Sequence, residues 1–177
     1  MTIHVFLDTE FTSLTEPALL VSIGLITEDG KYSFYAELSD TYSDENCSDF
    51  VIQEVLPLLD AEPLVKAVNY KQVYARMTLA ETTRHLNYWF AALIDPIQVW
   101  SDAPSHDWRY IQELFNTTGL PYNLLTTPNP ILADNTSSNS ARYENTIERE
   151  YSQKRLKRHH ALDDAKAMRL GWLEIKN

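Results

Sequence analysis

The first forty residues of the chain alternate between short apolar runs and turn-forming residues. Three of these runs are rich in β-branched and aromatic side chains and predict β-strands at residues 3–7, 19–27 and 32–38. The second run is almost continuously apolar, which is typical of a strand buried on both faces. Asp29-Gly30 between the second and third runs is a preferred hairpin pair, so these two strands are expected to be antiparallel.

Beyond residue 50 the apolar positions mostly follow the spacing of amphipathic helices. A helix at residues 50–59 is expected to end early or kink at Pro57, and Thr78 with Glu81 forms a capping box that opens a helix to about Leu93. Residues 97–101 alternate as a fourth strand. Helices are predicted at 107–117 and 161–175, and residues 142–158 are polar and mostly helical. Between these helices, residues 124–140 read as loop with room for one short strand.

This order of elements predicts an α/β fold in which helices flank a central mixed β-sheet of about five strands. The chain has 177 residues, and neither a repeat nor a linker divides it, so residues 1–177 are expected to form one domain. The single cysteine, Cys47, excludes an internal disulfide and suits a reducing cytoplasm. The sequence shows neither a signal peptide nor an apolar run of the roughly 18 residues that a membrane span needs.

The formal net charge of −10 argues against a protein that covers duplex nucleic acid with a basic face. It leaves room for an enzyme that holds the end of a strand through metal ions, because bound cations cancel the charge of their ligands. Basic residues do concentrate at 149–158, just before His159, where the simplest interpretation is a solvated helix face.

The first candidate site is the pair Asp8 and Glu10 at the end of the first predicted strand. Residues two apart in a strand point to the same face, so both carboxylates emerge together where open α/β sheets bind their ligands. Two adjacent negative charges are costly unless a cation lies between them. The alternative is a pair of acids on an exposed turn, which such a common triplet does not exclude.

The last predicted helix contributes a third acid. Asp164 lies three residues after Ala161 and four before Met168, so it projects from the apolar face, where an ionised carboxylate needs a partner. Asp163 is rotated by about 100° and is explained by the favourable charge of an acid at a helix N-terminus. We therefore choose Asp164 as the metal ligand.

His159 and Asp107 complete the candidate set. His159 is expected on the loop before the last helix, where a side chain with a near-neutral pKa is suited to accept a proton from water. The alternative is one half of a surface pair with His160. Asp107 is expected to open a helix one turn before the core residue Ile111, with Asp102 as a rival, and helix N-capping explains either acid without catalysis.

Three segments, in this order, resemble the DEDDh 3′→5′ exonucleases, which include polymerase proofreading domains, oligoribonuclease and ribonuclease T. The segments are Asp-Thr-Glu-Phe at 8–11, Ser-His-Asp-Trp at 105–108 and His-His-Ala-Leu-Asp-Asp-Ala at 159–165. Within that superfamily the chain looks most similar to the small single-domain exoribonucleases of the RNase AS type. It departs from many relatives at 101–104, where Ser-Asp-Ala-Pro replaces a Gly-His-Asn-like turn and leaves Asp102 as a candidate extra ligand.

The resemblance implies a ribonuclease H-like fold and a two-metal mechanism. Asp8, Glu10 and Asp164 would hold one Mg²⁺ or Mn²⁺ ion, and Asp8 would bridge to a second ion supported by Asp107. His159 would be the general base, and the products would be nucleoside 5′-monophosphates. Carboxylate oxygens suit these hard cations. The candidate substrate-binding residues are Thr9, Phe11 and Arg158, although Phe11 fits a core position equally well.

The substrate implied by the resemblance is single-stranded nucleic acid, RNA more than DNA, and the expected assembly is a homodimer. Two alternatives stay open at this point. One is a DNA exonuclease of the proofreading type, because the sequence does not locate a contact to the 2′-hydroxyl group. The other is a non-catalytic nucleic-acid or protein interaction module on the same fold.

Overall fold

A computed structural model describes residues 1–64, 69–132 and 137–176. Its centre is a mixed six-stranded sheet with the strand order β4-β3-β2-β1-β5-β6. β2 is antiparallel to both β1 and β3, whereas the pairs β1/β5, β3/β4 and β5/β6 are parallel. The strands are β1 (Ile3–Phe11), β2 (Leu20–Thr27), β3 (Ser33–Leu38), β4 (Gln72–Met77), β5 (Ile97–Ser101) and β6 (Asn129–Pro130).

In the described part of the chain, four α-helices cover the two faces of the sheet: α1 (Leu79–Ala92), α2 (Pro104–Leu114), α3 (Ser137–Ser152) and α4 (Ala161–Lys176). α1 and α2 pack in the larger core with Val5 and Leu7 of β1. α3 and α4 pack on the opposite face with Phe6. Because successive strand residues alternate between faces, the even-numbered positions of β1 point toward α3 and α4.

The α/β class and the mixed sheet flanked by helices are as predicted, and the architecture is consistent with a ribonuclease H-like fold. The first three strands, the hairpin turn, the capped helix α1, strand β5 and helix α4 lie where the sequence predicts them, and Thr78 and Glu81 exchange both capping-box hydrogen bonds. β6 is the short strand allowed within 124–140, of which residues 133–136 lie outside the described part. Among the described residues, no helix is long and apolar enough to cross a bilayer.

Four local predictions differ from the structure. The helical stretch expected at 142–158 is helix α3, which begins at Ser137 within the predicted loop and ends at Ser152. β4 was not predicted, although its residues alternate strictly between exposed and buried positions. The segment expected to be a helix at 50–59 is instead a short π-helical turn, Val51–Val55, followed by a 3₁₀ turn, Leu56–Leu58, because Pro57 lacks the amide that a continuing helix requires. α2 begins at Pro104, three residues before the predicted start, with Pro in its favoured first position.

Gly24 of β2 sets the distance between α4 and the sheet. A Cβ atom at this position would lie 2.3 Å from the carbonyl carbon of Ala161 and 2.3 Å from the amide nitrogen of Leu162. The backbone of the first turn of α4 therefore rests directly on the strand. Gly24 is also the cross-strand partner of Asp8. The start of α4 is thus held beside the strand position that carries the first candidate acid.

The contact at Gly24 predicts that replacing this glycine by alanine lowers the stability of the fold, which is the opposite of the usual effect in a strand. Replacing a strand glycine by alanine ordinarily favours folding, because glycine loses more backbone entropy. Here the added methyl group overlaps backbone atoms that cannot rotate away, so Gly24→Ala should destabilise the protein by roughly 1–3 kcal/mol or more. Urea unfolding of the variant and the wild type measures this difference. A variant at least as stable as the wild type would contradict the close approach.

Candidate metal-dependent active site

Asp8 and Glu10 lie on β1, which continues through both residues as far as Phe11. They share the strand face of Phe6, which packs on the α4 side chain Trp172 with ring centroids 5.3 Å apart. Both carboxylates are therefore directed toward the α4 side of the sheet, and both are half-buried. The alternative of an exposed turn is wrong, because this segment is a strand inside the sheet.

Asp164 occupies the first turn of α4 and faces the strand acids. One carboxylate oxygen accepts a hydrogen bond from the Tyr151 hydroxyl at 2.5 Å, and the other accepts one from the His159 amide at 2.9 Å. Asp163 instead accepts from the Lys157 amide at 3.1 Å and pairs with Lys166 at 2.9 Å. The two neighbouring acids therefore differ in surroundings, and Asp164 is the one directed into the cluster.

His159 lies on the turn before α4, as the sequence predicts. Its backbone has a φ of +66°, in the left-handed region that residues other than glycine seldom adopt. The hydrogen bond from its amide to Asp164 supports this conformation. The imidazole contacts the ring of Phe50 edge-on, with centroids 4.9 Å apart. The surface pair with His160 is excluded, because His160 is only 3% exposed.

Asp107 reaches the cluster from the first turn of α2. Its Oδ1 accepts from the Thr9 amide at 3.1 Å and from the Thr9 hydroxyl at 2.6 Å, and its Oδ2 accepts from the Ser101 hydroxyl. The N-cap of α2 is Ala103, so the N-capping explanation is wrong for both Asp107 and its rival Asp102. The actual partners of Asp107 come from β1 and β5, which the sequence analysis did not anticipate.

These side chains form two adjacent groups with the spacing of metal ligands. Glu10, His159 and Asp164 can place one ligand atom each within 4.8 Å of one another, and so can Asp8, Asp102 and Asp107. Asp102 is the exposed member of the second group, whereas Asp107 is buried. The two groups share strand β1. Except for Asp102, all of these residues line one cavity of about 560 Å³.

The clustered carboxylates disturb one another's ionisation. Burial and the negative charges of Asp107, Asp164 and Glu10 raise the pKa of Asp8 well above its usual range. Burial, followed by the charges of Asp164 and Asp107, raises the pKa of Glu10 to about 8.

The other two acids shift in the same direction for the same leading reason. Burial raises the pKa of Asp164 to about 7 and that of Asp107 to about 6, against the lowering effect of their hydroxyl and amide donors. Burial and the nearby Arg158 lower the pKa of His159, which keeps the imidazole neutral at physiological pH. The cluster therefore combines acids that resist ionisation with a neutral base.

Divalent cations fit this set of residues. Within 1–64, 69–132 and 137–176, no lysine or arginine forms an ion pair with Asp8, Glu10, Asp107 or Asp164. Buried carboxylates without a cationic partner are costly, and bound ions would supply the missing positive charge. Oxygen donors favour Mg²⁺ or Mn²⁺.

The three candidate substrate contacts differ in position. Thr9 lines the cavity, but its hydroxyl is bound to Asp107. Phe11 lines the cavity and packs against the core, with its ring stacked on His106 at 6.1 Å and on Tyr110 at 5.7 Å. Arg158 is not a lining residue. It pairs with Glu148, and its guanidinium lies 4.6 Å from the centre of the Tyr151 ring.

Several residues in or beside the cavity were not identified as site residues from the sequence. Leu14 and Phe50 add an exposed apolar wall to the cavity, and the two residues are 88% and 51% accessible. Tyr151 holds Asp164 from α3. Leu14 lies in a loop outside every predicted element, and Phe50 was included only as the first residue of the helix predicted at 50–59, so neither was marked as a site residue. Leu14, an apolar residue among polar neighbours, was a usable signal.

The chain matches the model of a known protein family. The model of the 3′-5′ exoribonuclease Rv2179c-like domain family matches residues 3–175, which include every residue of the two ligand groups. No curated protein matches the chain.

The raised carboxylate pKa values predict how the metal-free protein responds to pH. A raised folded-state pKa adds stability below the unfolded value, and this stability is lost as pH rises through the folded value. From the values of about 6 for Asp107, about 7 for Asp164 and about 8 for Glu10, these acids should lower the melting temperature in chelator as the pH rises from about 4, the unfolded-state pKa, to about 8. Mn²⁺ should restore it most at the alkaline end.

Two variants that each replace a glutamate by neutral glutamine test the origin of this pH dependence. Glu10→Gln should raise the metal-free melting temperature at about pH 8, by roughly 2–4 °C for each kcal/mol gained, and should flatten the pH profile. Glu144→Gln removes the same charge from an exposed position on α3 and should change neither. Equal behaviour of the two variants would contradict the repulsion between the clustered acids.

Proposed function

The chain belongs to the 3′-5′ exoribonuclease Rv2179c-like domain family, and we propose that it hydrolyses single-stranded RNA from the 3′ end with the help of two divalent metal ions. The observation that carries this proposal is the convergence of Asp8, Glu10, Asp107 and Asp164 with one neutral histidine in a single cavity. A decayed site, as in a non-catalytic module, has no physical reason to retain four acids without counter-charges.

The proposed ligands follow from the two groups on β1. Glu10 and Asp164 would hold one ion together with Asp8. Asp8 belongs to the second group, and the charges of Glu10, Asp164 and Asp107 all act on its carboxylate, so it would also bridge to the second ion. Asp107 would support the second ion directly or through water, because Thr9 and Ser101 already fix both of its oxygens. Bound ions of this kind stabilise the charge that develops on the attacking and leaving oxygens.

His159 is the proposed general base. Its neutral imidazole takes a proton from water, and the water oxygen forms a bond to the phosphorus of the last phosphodiester. The bond from phosphorus to the O3′ atom of the penultimate nucleotide then breaks. That oxygen takes up a proton from solvent water, and the His159 imidazolium returns its proton to the solvent. The products are a nucleoside 5′-monophosphate and an RNA shortened by one residue. The Phe11 ring and the Leu14–Phe50 wall offer apolar surfaces to the terminal bases.

Four further expectations belong to this proposal and stay predictions. Mg²⁺ or Mn²⁺ is the expected ion, residues 1–177 form one domain, the protein is a homodimer, and it acts in the cytoplasm. Arg158 stays a candidate contact for RNA beyond the cavity, which would require it to exchange Glu148 for a phosphate.

The adjacent acids Asp163 and Asp164 provide a matched test of the site. Asp164→Asn removes a proposed ligand and should nearly abolish removal of 3′ nucleotides from a 5′-labelled single-stranded RNA in Mg²⁺ or Mn²⁺. Asp163→Asn removes the same charge one residue away and keeps an oxygen for the Lys157 amide, so its activity should change little. Equal losses in the two variants would contradict the assignment of Asp164.

Replacing the proposed general base, His159, should reduce activity without abolishing it. His159→Ala should lower kcat by roughly 10²- to 10⁴-fold, because a positioned base typically contributes that much, while the affinity for Mn²⁺ is largely retained.

A DNA strand of the same sequence is the matched substrate for the RNA, and the wild type should degrade it more slowly than the RNA. If the wild type yields no ladder shortened from the 3′ end of the RNA, the proposed activity is wrong.

A further inference from the structure

A second histidine, His160, lies directly beneath the turn that carries His159. It is 3% exposed, and its ring stacks on Tyr35 of β3 with centroids 4.4 Å apart and planes 23° apart. Tyr35 itself is fully buried. The His160 ring is therefore fixed to the sheet by its flat face. The metal ligands and the general base proposed above do not include it.

The edge of the His160 ring is held as well. Its Nε2 atom lies 3.1 Å from the Tyr74 hydroxyl, and that hydroxyl donates a hydrogen bond to Asp60 Oδ1. The other oxygen of Asp60 accepts from Lys157 Nζ at 3.0 Å. Lys157 belongs to the same turn as His159. The contacts thus form a closed path from the turn, through Asp60 and Tyr74, back to His160.

The direction of these hydrogen bonds defines the tautomer of His160. The Tyr74 hydroxyl and Lys157 lower the pKa of Asp60, so its carboxylate is ionised and can only accept. The single proton of Tyr74 is committed to Asp60, and its oxygen must therefore accept from His160 Nε2–H. The Asp163 amide approaches His160 Nδ1 at 3.4 Å, as a donor to an unprotonated nitrogen would. Both ring nitrogens have assigned roles in the neutral form.

The path ends beside His159, the residue whose position matters most for the proposed reaction. The His159 backbone has the unfavourable φ of +66° and is supported on one side by the hydrogen bond to Asp164. The next residue along the chain is His160, so an anchored His160 ring supports the other side. The carbonyl of His160 also accepts from the amides of Asp163 and Asp164 at 2.8 and 2.9 Å, which links the anchor to the start of α4.

We propose that His160, bound through Tyr74 to Asp60, is a positioning residue that holds the general base His159 over the acids. This inference rests on the proposed function, because it assigns the contacts a role in that reaction. The exposed Lys157–Asp60 pair contributes little energy by itself, since its two side chains are 51% and 55% accessible. The role of the Lys157–Asp60 pair is to orient the Asp60 carboxylate toward the Tyr74 hydroxyl. The hydrogen bond at His160 Nε2 provides the anchor.

Tyr74→Phe tests the proposal with a small change, because it removes one hydroxyl group and keeps the ring. Displacing a reacting group by about 1 Å can cost up to roughly 100-fold, so we expect kcat for RNA to fall by about 10-fold, with KM and the Mn²⁺ affinity unchanged. Tyr122→Phe is the control, because Tyr122 is 81% exposed and lines a different pocket.

A double-mutant cycle separates positioning from a general loss of structure. In a His159→Ala background, Tyr74→Phe should lower the remaining activity no further, because the base that it positions is gone. An equal fold-loss in both backgrounds would overturn the proposal and indicate a structural role. Wild-type kcat in the single variant Tyr74→Phe would also overturn it.

An activity-independent measurement distinguishes failure of this inference from failure of the proposed function. Nitrogen-15 spectra of the metal-free wild type should show neutral His160 with its proton on Nε2, and in Tyr74→Phe that proton signal should shift. A proton on Nδ1 in a protein that degrades RNA would overturn only the positioning path. A wild type without exonuclease activity would overturn both proposals, whatever the spectrum shows.

Discussion

The direct contact of α4 with β2 at Gly24 is the constraint on which the site depends. Because Gly24 has no side chain, the backbone of Ala161 and Leu162 reaches the sheet. Gly24 pairs with Asp8 across the strands, so the start of α4 lies beside the strand acids. Asp164 and the turn before it are then directed toward Asp8 and Glu10. A helix held farther away would separate the ligands that three distant segments of the chain provide.

This close approach has an electrostatic cost. Four carboxylates share a partly buried cavity, and burial together with mutual repulsion raises the pKa of Asp8, Glu10, Asp107 and Asp164. The structure offsets part of the cost locally, since Tyr151 donates to Asp164 and Thr9 donates to Asp107. Asp8 and Glu10 receive no such donor in the described hydrogen bonds. The same charges that destabilise the metal-free fold make the site attractive to divalent cations.

The periodic parts of the fold could be predicted from the sequence, because local spacing determines which face of an element is buried. The apolar run of β2, the capping box of α1 and the orientation of Asp164 on α4 are examples. The strand β4 was missed although it alternates. The partners of Asp107 and the burial of His160 could not be predicted, because Thr9, Tyr35 and Tyr74 approach them only through the tertiary fold.

The central claim is that the convergent acids hold metal ions at which the end of an RNA strand is cleaved. Crystals of the protein soaked with Mn²⁺ and a nucleoside 5′-monophosphate test it most directly, through anomalous scattering at the manganese edge. We predict two manganese peaks, one bound by Asp8, Glu10 and Asp164 and a second beside Asp8 and Asp107, with the phosphate of the nucleotide next to them and His159 nearby. Manganese peaks away from these carboxylates, or a nucleotide phosphate bound elsewhere, would contradict it.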